Sequence, residues 1–105
     1  TLDGGLSNDE LIPSLFNLEQ NYPNPFNPQT MIQFTVPNLS SVSINIYDLN
    51  GKLIDVVTNS FYLQGTHSVT WDGMNLNNEA VSSGVYLYKM ITPSITLTKQ
   101  LTLIR

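Results

Sequence analysis

The chain has 105 residues, about one domain's worth, with 8 acidic and 4 basic side chains and a formal net charge of −4. Four scattered cations leave no footprint for a nucleic-acid backbone, and no apolar run approaches the ~18 residues needed to cross a bilayer. The absence of cysteine excludes disulfides, thiolate nucleophiles and Cys-ligated metals, and a single histidine excludes a multi-His metal site.

Polarity is carried by 32 Ser, Thr and Asn residues rather than by charge, a composition that suits exported bacterial surface proteins. Residues 1–51 carry five acids and no Lys or Arg, whereas residues 52–105 carry three acids and four bases. Residues 1–13 read as a linker. Gly4-Gly5, Ser7-Asn8-Asp9-Glu10 and Pro13 supply turn formers and charge without a sustained period. The chain opens on Thr1 with no initiator Met and no basic apolar leader, as expected of a piece of a longer protein, and the folded domain is placed at 14–105.

Leu15 to Glu19 is a candidate first strand. After it comes Asn21-Tyr22-Pro23-Asn24-Pro25-Phe26-Asn27-Pro28, where three prolines fix φ and hold their predecessors extended. This stiff loop is expected to act as a lid, with Tyr22 and Phe26 as anchors over the open end of a core. Its rival reading is a polyproline-type ligand for an aromatic groove.

From Met31 the pattern alternates. Ile32, Phe34 and Val36 share one face, then Val42, Ile44 and Ile46 after the break at Pro37-Asn38. Asp48-Leu49-Asn50-Gly51 is a hairpin turn, and Lys52 to Thr58 returns as the partner strand. His67, Val69 and Trp71 share a face of the next strand. Gly84 opens Val85 to Met90, Pro93-Ser94 turns the chain, and Ile95 to Ile104 is the last strand. Short strands with turn chemistry between them and no helical stripe predict an all-β fold, an antiparallel β-sandwich of six or seven strands.

Little in the chain looks catalytic. His67 reads as a structural residue, the carboxylates are dispersed, and no nucleophile elbow or phosphate loop is present. In Asp72-Gly73-Met74-Asn75-Leu76-Asn77-Asn78-Glu79, Met74 and Leu76 stand where an EF-hand loop needs ligands. A long turn using positive φ at Gly73 and Asn78 is therefore favoured over a calcium site. Tyr47, Tyr62, Tyr86, Tyr88 and Trp71 offer a sugar-stacking platform, although core burial is expected for Trp71 and Tyr86. No catalytic residue, metal or cofactor is expected.

The run Leu18-Glu19-Gln20-Asn21-Tyr22-Pro23-Asn24-Pro25-Phe26-Asn27-Pro28-Gln29-Thr30-Met31-Ile32-Gln33-Phe34 resembles the opening of the type A C-terminal sorting domain of the type IX (Por) secretion system of Bacteroidetes. Ile46-Tyr47-Asp48-Leu49-Asn50-Gly51-Lys52-Leu53-Ile54, Trp71-Asp72-Gly73, Val81-Ser82-Ser83-Gly84-Val85-Tyr86 and the closing Thr98 to Arg105 fit the same pattern. The Trp-Asp-Gly and Ser-Gly-Val-Tyr pieces are shared with the Ig-like domain of flagellar hook-capping proteins. Asn78 stands where the family usually has Gly, and Gln100 replaces a frequent second Lys.

The resemblance implies a seven-stranded Ig-like β-sandwich attached to an N-terminal cargo domain. It implies recognition by the type IX translocon and its shuttle protein at the outer membrane, followed by sortase cleavage within residues 1–13 and attachment to anionic lipopolysaccharide at the cell surface. It maps partner recognition to Gly84, Tyr86, Lys99, Leu103 and Arg105. The structural motif maps to Asn21, Tyr22, Pro23, Asn24, Pro25, Phe26, Trp71, Asp72 and Gly73. The domain is expected to be secreted or surface-located by way of the periplasm and to be a monomer. Its last strand is expected at a sheet edge, open to a receptor by β-augmentation. The alternative from another class is a carbohydrate-binding or adhesive Ig-like module.

Overall fold

A computed structural model of the chain describes residues 15–105. The linker and the cleavage segment placed at 1–13 lie outside the described residues. Seven strands occur and, among the described residues, no α-helix: β1 (Asn17–Leu18), β2 (Thr30–Val36), β3 (Ser40–Tyr47), β4 (Leu53–Tyr62), β5 (Gly65–Trp71), β6 (Gly84–Ile91) and β7 (Thr96–Leu103). They form a three-stranded sheet of order β1-β2-β5 and a four-stranded sheet of order β4-β3-β6-β7, with every pairing antiparallel. The candidate first strand does pair, though only over Asn17 and Leu18, against Thr35 and Phe34.

The alternation read in the sequence is what the two layers bury. Ile32, Phe34 and Val36 of β2 meet Val42, Ile44 and Ile46 of β3 and Tyr86, Tyr88 and Met90 of β6. Leu18, Trp71, Leu101, Leu103 and the loop residue Phe26 complete the core. Each such apolar side chain stabilises the fold by roughly 1.5–3 kcal/mol. The opposite faces carry Gln33, Thr35, Ser43, Asn45, Ser68 and Thr70, as a sheet with one wet side requires.

The turns follow from local chemistry. Between β3 and β4 the Asp48 carboxylate accepts the backbone N–H groups of Asn50 and Lys52, each at 2.9 Å, and only Gly51 takes a positive φ, +87°. In the 72–79 loop Gly73 and Asn78 take φ of +76° and +62°, as expected. Asn75 Oδ1 accepts from Asn77 N–H and Glu79 N–H, and Asp72 Oδ1 accepts from Met74 N–H, so these side-chain oxygens close the loop on its own backbone.

Candidate recognition surface

β7 is the outer strand of its sheet, as the sequence implied. Leu97, Lys99, Leu101 and Leu103 point to the core side, and Thr96, Thr98, Gln100 and Thr102 to solvent. Lys99 nonetheless remains exposed, a charge on the inward face between buried or half-buried leucines. Its register with β6 is unbroken from Thr96–Ile91 to Leu103–Gly84.

The outer side of β7 is only half open, and this revises the expectation of a bare terminal edge. Phe26 forms a parallel bridge to Leu103, with its N–H donating to Thr102 O and its carbonyl accepting from Ile104 N–H, both at 3.0 Å. Asn24 Oδ1 accepts the Thr102 N–H at 3.0 Å, and Gln20 Nε2 donates to Gln100 O at 2.7 Å. The stiff loop thus works as a short surrogate strand. Its three X–Pro bonds, at Pro23, Pro25 and Pro28, are cis.

Of the two expected anchors, Phe26 is buried and packs on Trp71 with ring centroids 5.7 Å apart. Tyr22 is a correction: it is 75% exposed. Its backbone extends the β2 pairing by exchanging two bonds with Met31, so alternation turns Asn21 inward and Tyr22 outward. Asn21 takes the buried role. Its N–H donates to the Tyr88 hydroxyl at 2.8 Å, and its side-chain amide donates to Pro23 O and Thr30 Oγ1. The Tyr88 hydroxyl in turn donates to Glu19 O at 2.7 Å. Burial, more than the nearby Glu19 charge, pushes that phenol up to about 12 against the opposing bond from Asn21. Nothing in the local sequence pattern signals this link between loop and β6. Its partners lie 67 and 69 residues apart.

The remaining residues fall into two groups. Tyr86 is buried edge-on against Trp71, its hydroxyl donating to Ser82 O at 2.7 Å, and Trp71 Nε1 donates to Met74 O at 3.0 Å. Leu103 is buried opposite Gly84, where no atom lies within 4 Å of the place a Cβ would take. Arg105 is tied inward: Nε donates to Val81 O, Nη2 to Gly73 O, and its backbone N–H to Ser83 Oγ. Gly73 takes a φ of +76°, which favours glycine, and a Cβ there would push the Arg105 Nη2 group, 2.8 Å away, off its bond. Asp72 lies near Asp55, whose carboxyl is raised chiefly by burial and further by the Asp72 charge.

The rings that suggested a sugar platform are divided. Trp71, Tyr86 and Tyr88 are buried, Tyr62 packs with Phe34 and His67, and Tyr47 lies beneath the Lys89 ammonium at 5.0 Å. His67 sits half-buried with a ring nitrogen 2.7 Å from Leu63 O, consistent with a structural role. A shallow depression of about 260 Å³ lies between β4 and the 72–79 loop, lined by Lys52, Leu53, Ile54, Asn75, Leu76 and Asn77.

An Ig-like antiparallel sandwich whose outer strand is clasped by a proline-rich loop is the class of fold that these observations define. Within that class the chain belongs to the secretion system C-terminal sorting domain family, which it matches over residues 20–104. The family is not an enzymatic one. The latent, dimeric PorU of Porphyromonas gingivalis is similar in fold, with a TM-score of 0.70 and 16% identity over 87% of this chain and 10% of PorU. PorZ of the same organism, an essential bacterial surface component of the type IX secretion system, gives a TM-score of 0.56 and 22% identity, over 92% of this chain and 12% of PorZ. The basal-body rod modification protein FlgD of Buchnera aphidicola is 37% identical over 51 residues, 49% of this chain and 23% of FlgD. The chain therefore spans only a minor part of each of these proteins. FlgD of Xanthomonas campestris, a hook-capping protein, is similar in fold, with a TM-score of 0.55 and 17% identity over 95% of this chain and 74% of that one.

Proposed function

We propose that this domain is the export address of a larger cargo protein. The type IX translocon and its shuttle protein recognise the folded sandwich and carry the cargo from the periplasm across the outer membrane. A sortase then cuts within residues 1–13 and joins the cargo to the cell surface. The single observation that carries this reading is the placement of β7. It is a regular strand at a sheet edge, held by the proline-rich loop with which the family match begins. An edge of this kind offers main-chain groups to a receptor without any chemistry in the domain itself.

Leu103, paired with Gly84, supports the shape of that end from within, and Lys99 supplies exposed charge beside it. Arg105 contributes by fixing the strand's exit rather than by reaching outward. The test is to place the 105-residue chain behind a fluorescent reporter in a type IX-competent bacterium. The intact chain brings the reporter to the surface or medium, and removal of residues 96–105 leaves it in the periplasm. Export of the truncated fusion at the intact level defeats the proposal.

A further inference from the structure

The clasp divides the outer side of β7 into two unequal parts. Thr102 O and Ile104 N–H point away from β6, since both bond Phe26. Backbone direction alternates along an antiparallel strand, and the β6–β7 register contains no bulge, so Thr96, Thr98 and Gln100 also turn their main-chain groups outward. Of these groups, Gln100 O is taken by Gln20 Nε2, and Thr102 N–H by Asn24. Among the described residues, no bond reaches the outward N–H and C=O of Thr96 and Thr98 or the N–H of Gln100.

The other edge of the sheet is built differently. β4 bulges at Ile54 and Val57, and the Leu76 N–H bonds Ile54 O. Bulges twist an edge out of the regular spacing that an incoming strand needs. The two edges of one sheet therefore differ in whether they can be extended. On β7 the side chains flanking the open stretch on its inward face are Leu97, half-buried, and Lys99, exposed.

We infer that the receptor-binding element is the upstream half of β7, Thr96 to Gln100, and that its occupant is an extended segment of the transport receptor that adds as an outer strand and sets an acidic side chain beside Lys99. This inference rests on the export reading above and narrows it to one stretch of backbone. Carboxylate is the chemistry that Lys99 selects, and apolar neighbours suit Leu97. The downstream half, from Thr102 onward, is closed by the chain's own Asn24 and Phe26 and takes no part in contact.

The test uses the reporter fusion of the full 105-residue chain, with four variants. Thr98→Pro removes an outward N–H without touching a bond to β6, the one placement proline tolerates in a sheet. Thr98→Val changes the side chain and keeps the N–H. Asn24→Ala frees the Thr102 N–H of the downstream half, and Lys99→Glu reverses the charge. Circular dichroism and the melting temperature of each purified variant establish that it folds.

Thr98→Pro is expected to lower the exported fraction about tenfold, the equivalent of one backbone bond left unmade, while Thr98→Val exports normally. Lys99→Glu lowers export by a smaller factor, and Asn24→Ala leaves it unchanged. A folded Thr98→Pro variant exported at the parental level overturns the inference, as does a folded Asn24→Ala variant that is retained. If Thr98→Pro does not fold, normal export of Lys99→Glu overturns it instead. If the parental fusion itself stays in the periplasm, the export reading fails rather than this refinement of it.

Discussion

The two outer strands of the four-stranded sheet face the same physical problem and meet it in different ways. β4 is ten residues long and takes two bulges, each of which turns an apolar side chain, Ile54 or Val57, against the core. β7 is eight residues long and keeps an unbroken register. Its protection is external: a loop from the opposite end of the sequence covers its downstream half, and a charged Lys99 points inward along the part that stays open. Inward charges and covering loops are both recognised ways to keep an edge from pairing at random. A bulge alters the strand itself, whereas the loop covers only the downstream half of β7 and leaves the regular stretch from Thr96 to Gln100 unpaired. The pair of edges thus teaches which one is built for stability and which is left available.

The contrast breaks most readily at the cover. Phe26→Ala removes the buried ring that seats the loop on Trp71 and is expected to destabilise the domain by about 3–5 kcal/mol, measured as a shift of the guanidinium midpoint. Tyr88→Phe comes next. Without the hydroxyl, Asn21 N–H and Glu19 O lose their shared partner, at a cost of about 1–3 kcal/mol at neutral pH. Because Tyr88 titrates near 12 when folded and near 10 when unfolded, its contribution is complete below about pH 10 and is lost as pH rises toward 12. A comparison of pH-dependent unfolding curves should therefore show the parent losing on the order of 2 kcal/mol more than Tyr88→Phe by about pH 12.

Asn24→Ala tests the single side chain that mimics a strand carbonyl and should cost about 1 kcal/mol, with faster hydrogen exchange confined to Thr102. On the bulged edge, Val56→Lys alters an already exposed side chain and should stay within about 0.5 kcal/mol of the parent in thermal unfolding. A cost at Val56 equal to that at Asn24 would remove the distinction between the edges.

Much of this was legible in the sequence because it is written in short-range pattern. The period-two runs at Ile32–Val36 and Val42–Ile46 give both strand and facing, since one face of each strand has to meet the core, whereas the nearly continuous apolar run Val85 to Met90 gives the strand without its facing. Gly73 and Asn78 were legible as positive-φ positions from residue type alone. Tyr22 was misjudged because an aromatic ring beside prolines reads as an anchor. Its facing was decided instead by backbone pairing with Met31, a partner nine residues on. The resemblance places Arg105 among the partner-recognition residues. The carbonyls of Gly73 and Val81, supplied by a loop more than twenty residues upstream, gave it an inward use that charge counting does not reveal. The bulges of β4 were likewise hidden, because Lys52 to Thr58 shows apolar residues without a clean alternation. Residues 1–13 lie outside the described structure, so the cleavage reading stands on the sequence.

The bonds that close β7 join residues far apart in the chain, Gln20 to Gln100 across 80 positions and Asn24 to Thr102 across 78, and the same loop is tied to β6 by Asn21 to Tyr88 across 67. Contacts of such long sequence separation are slow to find, because the loop entropy is lost before any contact repays it. The cover therefore belongs to the last stage of folding, after β6 and β7 have paired as a local hairpin. In the interval before closure the outer side of β7 is bare along its whole length. How quickly the proline-rich segment arrives then sets how long each newly made molecule is open to pairing with its neighbour instead of with itself.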